Sequence, residues 1–540
     1  MKFKALIFAI IAIAFLQSDL YSQTSLKMIY NWQDTTLPGS AIYNNSYNEI
    51  WGYSSNGRDY GIIGTTVGTH IFDVTDTNNI VLVDYVAGAF QGPGVIHRDY
   101  HDHNGYLYAV CDEGLSSLQI IDLNSLPDSA SKVYDSDTLL YTSHNIFIDE
   151  KRSLLYACSV IKGNPPAFYA MEVYDINIPL EPQLIYVLND SSIQHVHDIF
   201  VRDDIAYLNS GYDGLFIYDF SDPANPTKEG VLDLYQQQGY NHSGWLLDDN
   251  KHYVFIDETI QTQLKVVNIE NPLDIQQVAL FGTANPNSSP HNVIVKNCLA
   301  YVSYYYDGIR VYDLRDPANP VEVAVYDTYP DSIGPSEYEG AWGVYPFANN
   351  RKVLVSDMQS GMFLFEFKQD GNPPVADFSY NLNGLSIELD DLSLNSPNTY
   401  QWNFNNSSMS SLQDPVFGVP QEGDYPICLR VDNEYGCDFK CDTISVMTSG
   451  LEYELNDHLV VKPFFNDSEL VLEMQSIQLE LVGITLYDVN GRALFNKKVD
   501  IDRGLNVVSI PIKEKLSSSI YLLHVLVNGK TKAYKVLRLE

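Results

Sequence analysis

The most regular feature of this chain is an apolar hexamer that returns with small changes. Leu215-Phe216-Ile217-Tyr218-Asp219-Phe220 is matched at residues 69–74, 118–123, 171–176, 264–269, 309–314 and 362–367. In an extended strand Leu215 and Ile217 point one way, and Phe216, Tyr218 and Phe220 the other. Apolar side chains on both faces predict a strand covered on both sides, not an amphipathic edge strand.

The copies recur every ~45 to 53 residues, the period of a four-stranded propeller blade. Blades stacked face to face around an axis supply the two-sided cover. The pattern therefore predicts an all-β fold with a seven-bladed β-propeller. The fifth residue of each copy is polar: Asp73, Asp122, Asp175, Asp219, Asn268, Asp313 and Glu366. It meets a turn rich in Asp, Pro and Asn, as in Ser221-Asp222-Pro223 and Arg315-Asp316-Pro317. A short side-chain oxygen there is expected to accept turn N–H groups, a structural role and not a catalytic one. Gly68, Gly214, Gly308 and Gly361 precede their hexamers, where a tight hairpin calls for positive φ.

Residues 25–33 read as an outer strand with no inner strands before it. The seventh copy ends at Phe367 and runs into Gly371-Asn372-Pro373-Pro374 without an outer strand of its own. Residues 25–33 are expected to fill that gap and close the ring, leaving no open sheet edge.

Length and charge widen the picture. The 540 residues exceed one ordinary domain, and 45% hydrophobic content with 39 tyrosines fits a globular, β-rich chain. A net charge of −37 argues against a nucleic-acid partner. It fits an extracellular surface, one that could gather Ca2+. Met1-Lys2-Phe3-Lys4, the apolar run 5–16 and Ser22 read as a secretory signal peptide over residues 1–22. No further segment is long and apolar enough for an integral membrane span, and a monomer is expected. Of six cysteines, Cys111 and Cys158 hold like positions in successive repeats and read as small buried thiols. Cys428, Cys437 and Cys441 cluster; a hairpin turning near residues 433–436 would set Cys428 opposite Cys441, within reach of a disulfide.

Candidate chemistry lies in histidines near the start of the inner strands: His97 or His101, His144, His197, His242 and His291. Inner strands line a propeller's axis, so equivalent positions form a ring, and several imidazoles in one channel could bind a transition metal or an anion. His195 and His197, and likewise His101 and His103, would share one side of a strand. The competing reading is packing, with each imidazole bonded to the neighbouring blade. The last repeat has Trp342 in the matching region and the first has no counterpart. Gly-x-Ser-x-Gly, His-Glu-x-x-His, Cys-x-x-Cys and a phosphate loop do not occur. The acidic pairs Asp112-Glu113, Asp203-Asp204 and Asp390-Asp391 read as solvated turns. Tyr304-Tyr305-Tyr306 could be a sugar-stacking surface or simply strand.

The hexamers resemble the LVIVD repeat, and residues ~25 to 369 resemble the secreted choice-of-anchor B propeller family. The matching stretches are His97-Arg98-Asp99, Ser143-His144-Asn145, Asn241-His242-Ser243-Gly244-Trp245, Pro290-His291-Asn292-Val293 and Gly340-Ala341-Trp342-Gly343. The resemblance implies architecture and carries no biochemical activity with it. Residues 376–380, 400–404 and 423–429 resemble a PKD domain, an immunoglobulin-like sandwich with Trp402 as its core tryptophan. Residues 484–492, 504–507 and 519–523 resemble a type A sorting domain of type IX secretion. That resemblance implies export by the type IX machinery, removal of the domain, and attachment to the bacterial surface or release.

The expected plan is thus a signal peptide (1–22), a propeller (23–369) and two small β-sandwiches, PKD-like (373–447) and sorting (455–540). The expected function is a non-enzymatic binding or scaffold propeller with an extracellular polymer or protein ligand. The alternative is a metal-dependent hydrolase or lyase acting on extracellular polysaccharide or another polymer, with the metal at His97, His101, His144, His197, His242 and His291.

Overall fold

The computed structural model describes residues 25–285, 287–330, 338–347, 351–383, 385–404, 407–419, 421–446, 459–466, 469–488, 493–511, 519–527 and 530–538. The segment read as a signal peptide lies outside them. Among the described residues no helix is long and apolar enough to cross a membrane.

Residues 25–368 form seven four-stranded antiparallel sheets. In each, the hexamer is the third strand, and it is buried on both faces; Leu215–Asp219 is covered up to its last residue. The first strands are Tyr47–Ser55, Arg98–His103, Asn145–Asp149, Asp198–Arg202, Asn241–Leu246, Asn292–Lys296 and Ala341–Pro346. Each lies beside the next, and Ala341–Pro346 lies beside Tyr47–Ser55, so the ring closes on itself as in a β-propeller. Hydrophobic clusters fill the spaces between successive sheets. Tyr156, Met171, Ile199, Phe216 and Phe220, for example, join the third and fourth.

Closure follows the sequence expectation. Ser25–Trp32 pairs antiparallel with Gly361–Lys368, from Ser25 opposite Lys368 to Trp32 opposite Met362, as the fourth strand of the last sheet. The turn chemistry follows as well. Asp73, Asp122, Asp175, Asp219 and Asp313 each accept the N–H two residues on, and Asn268 Oδ1 does the same. Glu366, one methylene longer, instead faces Lys368 Nζ at 3.7 Å. Gly308 (φ 67°) and Gly361 (φ 86°) show why glycine precedes the hexamer. A Cβ there would lie 2.1 and 2.0 Å from the carbonyl oxygens of Tyr326 and Trp32, on the neighbouring strand.

The chain divides into two compact units. The first holds the ring of sheets together with residues 388–416 and 425–444. Within it Thr399–Phe404 pairs with Gly423–Asn433 over residues 399–404 and 427–432. Trp402 is fully buried and donates its indole N–H to the Leu412 carbonyl. Cys428 and Cys441, which a hairpin turn would set opposite one another, form a disulfide. A second disulfide, Cys298–Cys437, was not foreseen; it joins the sixth sheet of the ring to this segment. Cys111 and Cys158 are free and buried.

The second unit includes residues 445–540, whose described residues form two sheets. One runs in the order Leu459–Asn466, Glu469–Ser476, Gly504–Pro511; the other Ala493–Ile501, Glu480–Tyr487, Ser519–Val527, Lys530–Arg538. Alternate residues of the central strands (Leu470, Leu472 and Met474; Val482, Ile484 and Leu486) meet in one core.

Candidate functional site

The first strands of the ring bring side chains to its axis in three tiers. The outermost contains His97, His144, His197, His242, His291 and Trp342. Four of the histidines stand immediately before their strands, and the backbone N–H of His144, His197 and His291 each bonds a carbonyl of the second strand (Cys158, Asn209, Ser303). That bond fixes where the side chain leaves the sheet. Ring centroids are 4.3 Å apart for His97 and His144, 4.0 Å for His144 and His197, 4.0 Å for His197 and His242, and 4.4 Å for His242 and His291. Trp342 completes the circle, 4.3 Å from His291 and 5.7 Å from His97.

The two imidazole nitrogens of these histidines do different work. His197 Nδ1 lies 3.1 Å from the His242 carbonyl and His291 Nδ1 2.7 Å from the Trp342 carbonyl, each on the next sheet. A carbonyl only accepts, so Nδ1 carries the proton and Nε2 keeps its lone pair. Burial, followed by the neighbouring imidazoles, holds His97, His197 and His242 well below the usual histidine range. Burial takes His291 down to about 3. His144 is the exception. Burial disfavours its charge, but the Asp112 carboxylate 2.8 Å from Nδ1 outweighs that, and its pKa rises.

Three carboxylates that the sequence did not single out for the site belong to this tier. Asp112 and Glu113 are not a solvated turn: Asp112 pairs with His144, and Glu113 accepts the N–H groups of Ile96 and His97. Glu258, just past strand His252–Asp257, places Oε2 3.8 Å from His242 Nε2. Its other oxygen accepts a hydrogen bond from Tyr305, and burial pushes its pKa up to about 7. Tyr304 and Tyr305 are fully buried, so they offer no stacking face to a sugar.

The middle tier is acidic. Glu49 and Asp99 are buried and Asp198 is half-buried, beside Asn145, Ser243 and Asn292. Ile146 N–H donates to Asp99 and Ile199 N–H to Asp198, while Asn292 Nδ2 donates to Glu49 Oε2 at 3.0 Å. Burial raises all three pKa values, to about 7 for Asp99 and about 8 for Asp198, where the Asp99 charge adds to it.

The third tier, further along the same strands, is aromatic, and Trp51, Phe147, Trp245 and Tyr345 in it are half-buried. Trp51, His101, Phe147, Phe200 and Trp245 follow one another at 4.6, 5.1, 5.4 and 4.6 Å, and Tyr345 returns to Trp51 at 5.0 Å. His101 therefore stands apart from the other five candidate histidines. Its ring takes an aromatic place, with Nδ1 on the Asp102 carbonyl at 3.1 Å. His195 and His103 are elsewhere too, on Tyr240 and Ser153. The strand begins only at Asp198, so the alternation expected for His195 and His197 does not apply there.

A cavity of about 60 Å³ lies between the acidic and aromatic tiers. That is room for about two waters and not for a sugar. A larger open cleft of about 820 Å³ is lined by Arg315, Tyr400 and Arg430, but its arginines are already paired with Asp313 and Asp432.

No family model matches the chain, and no curated protein matches it. Among solved structures it is similar to the WD40 repeats of RRP9, at 9% identity over 64% of this chain and 97% of that one, with a TM-score of 0.45. It is also similar to a protein from Lactobacillus plantarum, at 15% identity over 73% and 99% with a TM-score of 0.44. The PKD1 domain of the Vibrio cholerae metalloprotease PrtV is 32% identical over 14% of this chain and all of its own length, with a TM-score of 0.14. The ring architecture rests on the chain's own strand pairing and not on these likenesses.

Proposed function

We propose that this chain is a secreted binding or scaffold protein built on a seven-bladed LVIVD-type propeller of the choice-of-anchor B kind (23–369). It carries a PKD-like sandwich (373–447). A type A sorting domain (455–540) delivers it through the type IX machinery to the bacterial surface or the medium.

The observation that carries the binding reading is the aromatic rim around the histidine tier. Tyr240 stands 5.4 Å from His197, with Tyr212 5.2 Å beyond it and 76% exposed. On the other arc the buried Tyr305, 5.1 Å from His291, backs the half-buried Tyr338, and Tyr43 follows, at 5.4 Å each. Rigid amphipathic rings on a closed β scaffold give contact area at low entropic cost. The reading of a polymer hydrolase or lyase is favoured by one grouping, His242 with Glu258 and His291, while the small cavity limits what can enter below it.

Purified full-length protein applied to arrays of extracellular polysaccharides and peptides tests the platform. Retention without turnover is expected, weakened about tenfold or more by Tyr212→Ala, about 1.4 kcal/mol. Release of new chain ends would replace the platform by the hydrolase, and binding indifferent to Tyr212 would place the surface elsewhere. The export route has its own arm: a chain ending at Thr448 should stay in the periplasm, and its appearance at the surface would remove the sorting assignment.

A further inference from the structure

We propose that His242, Glu258 and His291 form a binding site for one divalent first-row transition ion of the zinc class at the outer mouth of the ring. One ligand atom from each residue can be chosen so that all three lie within 4.8 Å of one another. The assignment stands whether the propeller is a platform or an enzyme.

The supporting contacts are those a metal site requires. A ligating imidazole ordinarily gives its second N–H to a carbonyl or carboxylate, which fixes the tautomer and aims the free nitrogen. His291 does so: Nδ1 donates to the Trp342 carbonyl at 2.7 Å, leaving Nε2 as a lone pair. Ser303 Oγ shares that carbonyl and holds it in place. His242 is 3% exposed, and its Nδ1 has no hydrogen-bond partner, while its Nε2 faces Glu258 at 3.8 Å. Tyr305 donates to Glu258 Oε1, which leaves Oε2 for the ion. His291 and Glu258 thus have their orienting groups already in place, and His242 presents Nε2 to Glu258 from the same side of the ring.

The donor set chooses the ion. Two imidazole nitrogens and one carboxylate oxygen suit Zn2+ and its first-row neighbours, whereas Ca2+ takes six to eight oxygens. Metal–ligand bonds of about 2.0–2.2 Å need ligand atoms roughly 3.3 Å apart, so the group must draw in by about an ångström. Glu258 can supply that movement, since it lies just past a strand end and its side chain keeps 15% exposure. The three protein ligands leave a fourth position for water or an anion from the mouth. The opposite arc is committed elsewhere, because His144 is held by Asp112.

The test uses the full chain, stripped with chelator and titrated with Zn2+ by calorimetry, with Co2+ as a spectroscopic probe. One equivalent is expected, with the intense visible bands of four-coordinate Co2+. Glu258→Gln keeps the shape of the side chain and the Tyr305 contact, and it should weaken Zn2+ at least tenfold while the circular dichroism and melting midpoint of the metal-free protein hold. His291→Gln should abolish the bands. His197→Gln, in the same tier but outside the group, should leave both readouts unchanged. No saturable binding by the wild-type chain would overturn the proposal. So would binding lost in His197→Gln but kept in Glu258→Gln, which would place the ion on the other arc. If His291→Gln fails to fold, the contrast between Glu258→Gln and His197→Gln still decides.

Discussion

At the scale of single residues, the channel is organised by the cost of burying charge. Asp198 keeps its proton to about pH 8 in the folded chain because burial and the Asp99 carboxylate disfavour its anion. Its unfolded form releases the proton near the ordinary aspartate value. Between those two values the folded state binds more protons than the unfolded one, so Asp198 withdraws stability as pH rises through the window. The ring histidines act in the opposite direction. His291, held down to about 3, costs stability as pH falls below the usual histidine range, because the unfolded chain takes up protons that the folded chain refuses. The wild-type profile mixes both slopes, and the difference from Asp198→Asn separates them. Asn keeps an acceptor for Ile199 N–H, so the variant should match wild type near pH 4 and gain on it progressively up to about pH 8, at up to about 1.4 kcal/mol per pH unit. Urea midpoints at several pH values measure this, and parallel profiles would refute it. Of these residues the sequence made five histidines and Trp342 legible, since they recur at one place in the repeat. It did not reveal Glu258 or Asp112, which reach the tier from beyond the second strand of their sheets. Nor did it reveal that His101, standing four residues past His97, joins the aromatic tier.

At the scale of elements, the hexamer and its turn were legible because both are local: a two-sided apolar strand, then an oxygen that accepts the N–H two residues on. Closure was legible by counting, since one outer strand was missing at one end and one was in surplus at the other. The pairing of Ser25–Trp32 with Gly361–Lys368 is reinforced by Asn31 Nδ2, which donates to the carbonyls of Ser360 and Met362. Leu26 enters the core, and Trp32 packs 4.9 Å from Phe72 of the first sheet. Deleting residues 25–33 therefore removes a ladder and part of the contact between the last sheet and the first. Each ladder bond contributes about 1 kcal/mol net and burial of Leu26 about 2, so the loss should be several kcal/mol. A lower melting midpoint and faster amide exchange at residues 362–367 are expected. An unchanged midpoint with unchanged exchange would show that the ring does not depend on this strand.

At the scale of the molecule, the first compact unit holds more than the ring. Cys298–Cys437 joins the sixth sheet to the segment beyond the proline linker. Around it, Cys437 N–H donates to the Asn297 carbonyl at 3.4 Å, Asn297 Nδ2 donates to the Cys437 carbonyl at 3.3 Å, and Arg315 donates to the Asn433 carbonyl at 2.5 Å. Arg430 answers by donating to the Arg315 carbonyl at 3.1 Å. This contact was not legible in the sequence. Cys298 sits in a turn within the repeats, far from the three clustered cysteines, and no local spacing pairs residues 139 positions apart. The bond and its rim of hydrogen bonds make the junction a fixed one and not a hinge. For a loop of that length the chain-entropy argument gives about 5 kcal/mol at most. The double variant Cys298→Ser/Cys437→Ser should leave the ring and the Cys428–Cys441 hairpin folded. It should speed amide exchange at position 437 and expose residues 369–374 to protease, while the wild-type chain resists until it is reduced. Equal protease resistance of the variant and the oxidised wild type would mean that the hydrogen bonds alone hold the junction, and that the disulfide adds nothing to its rigidity.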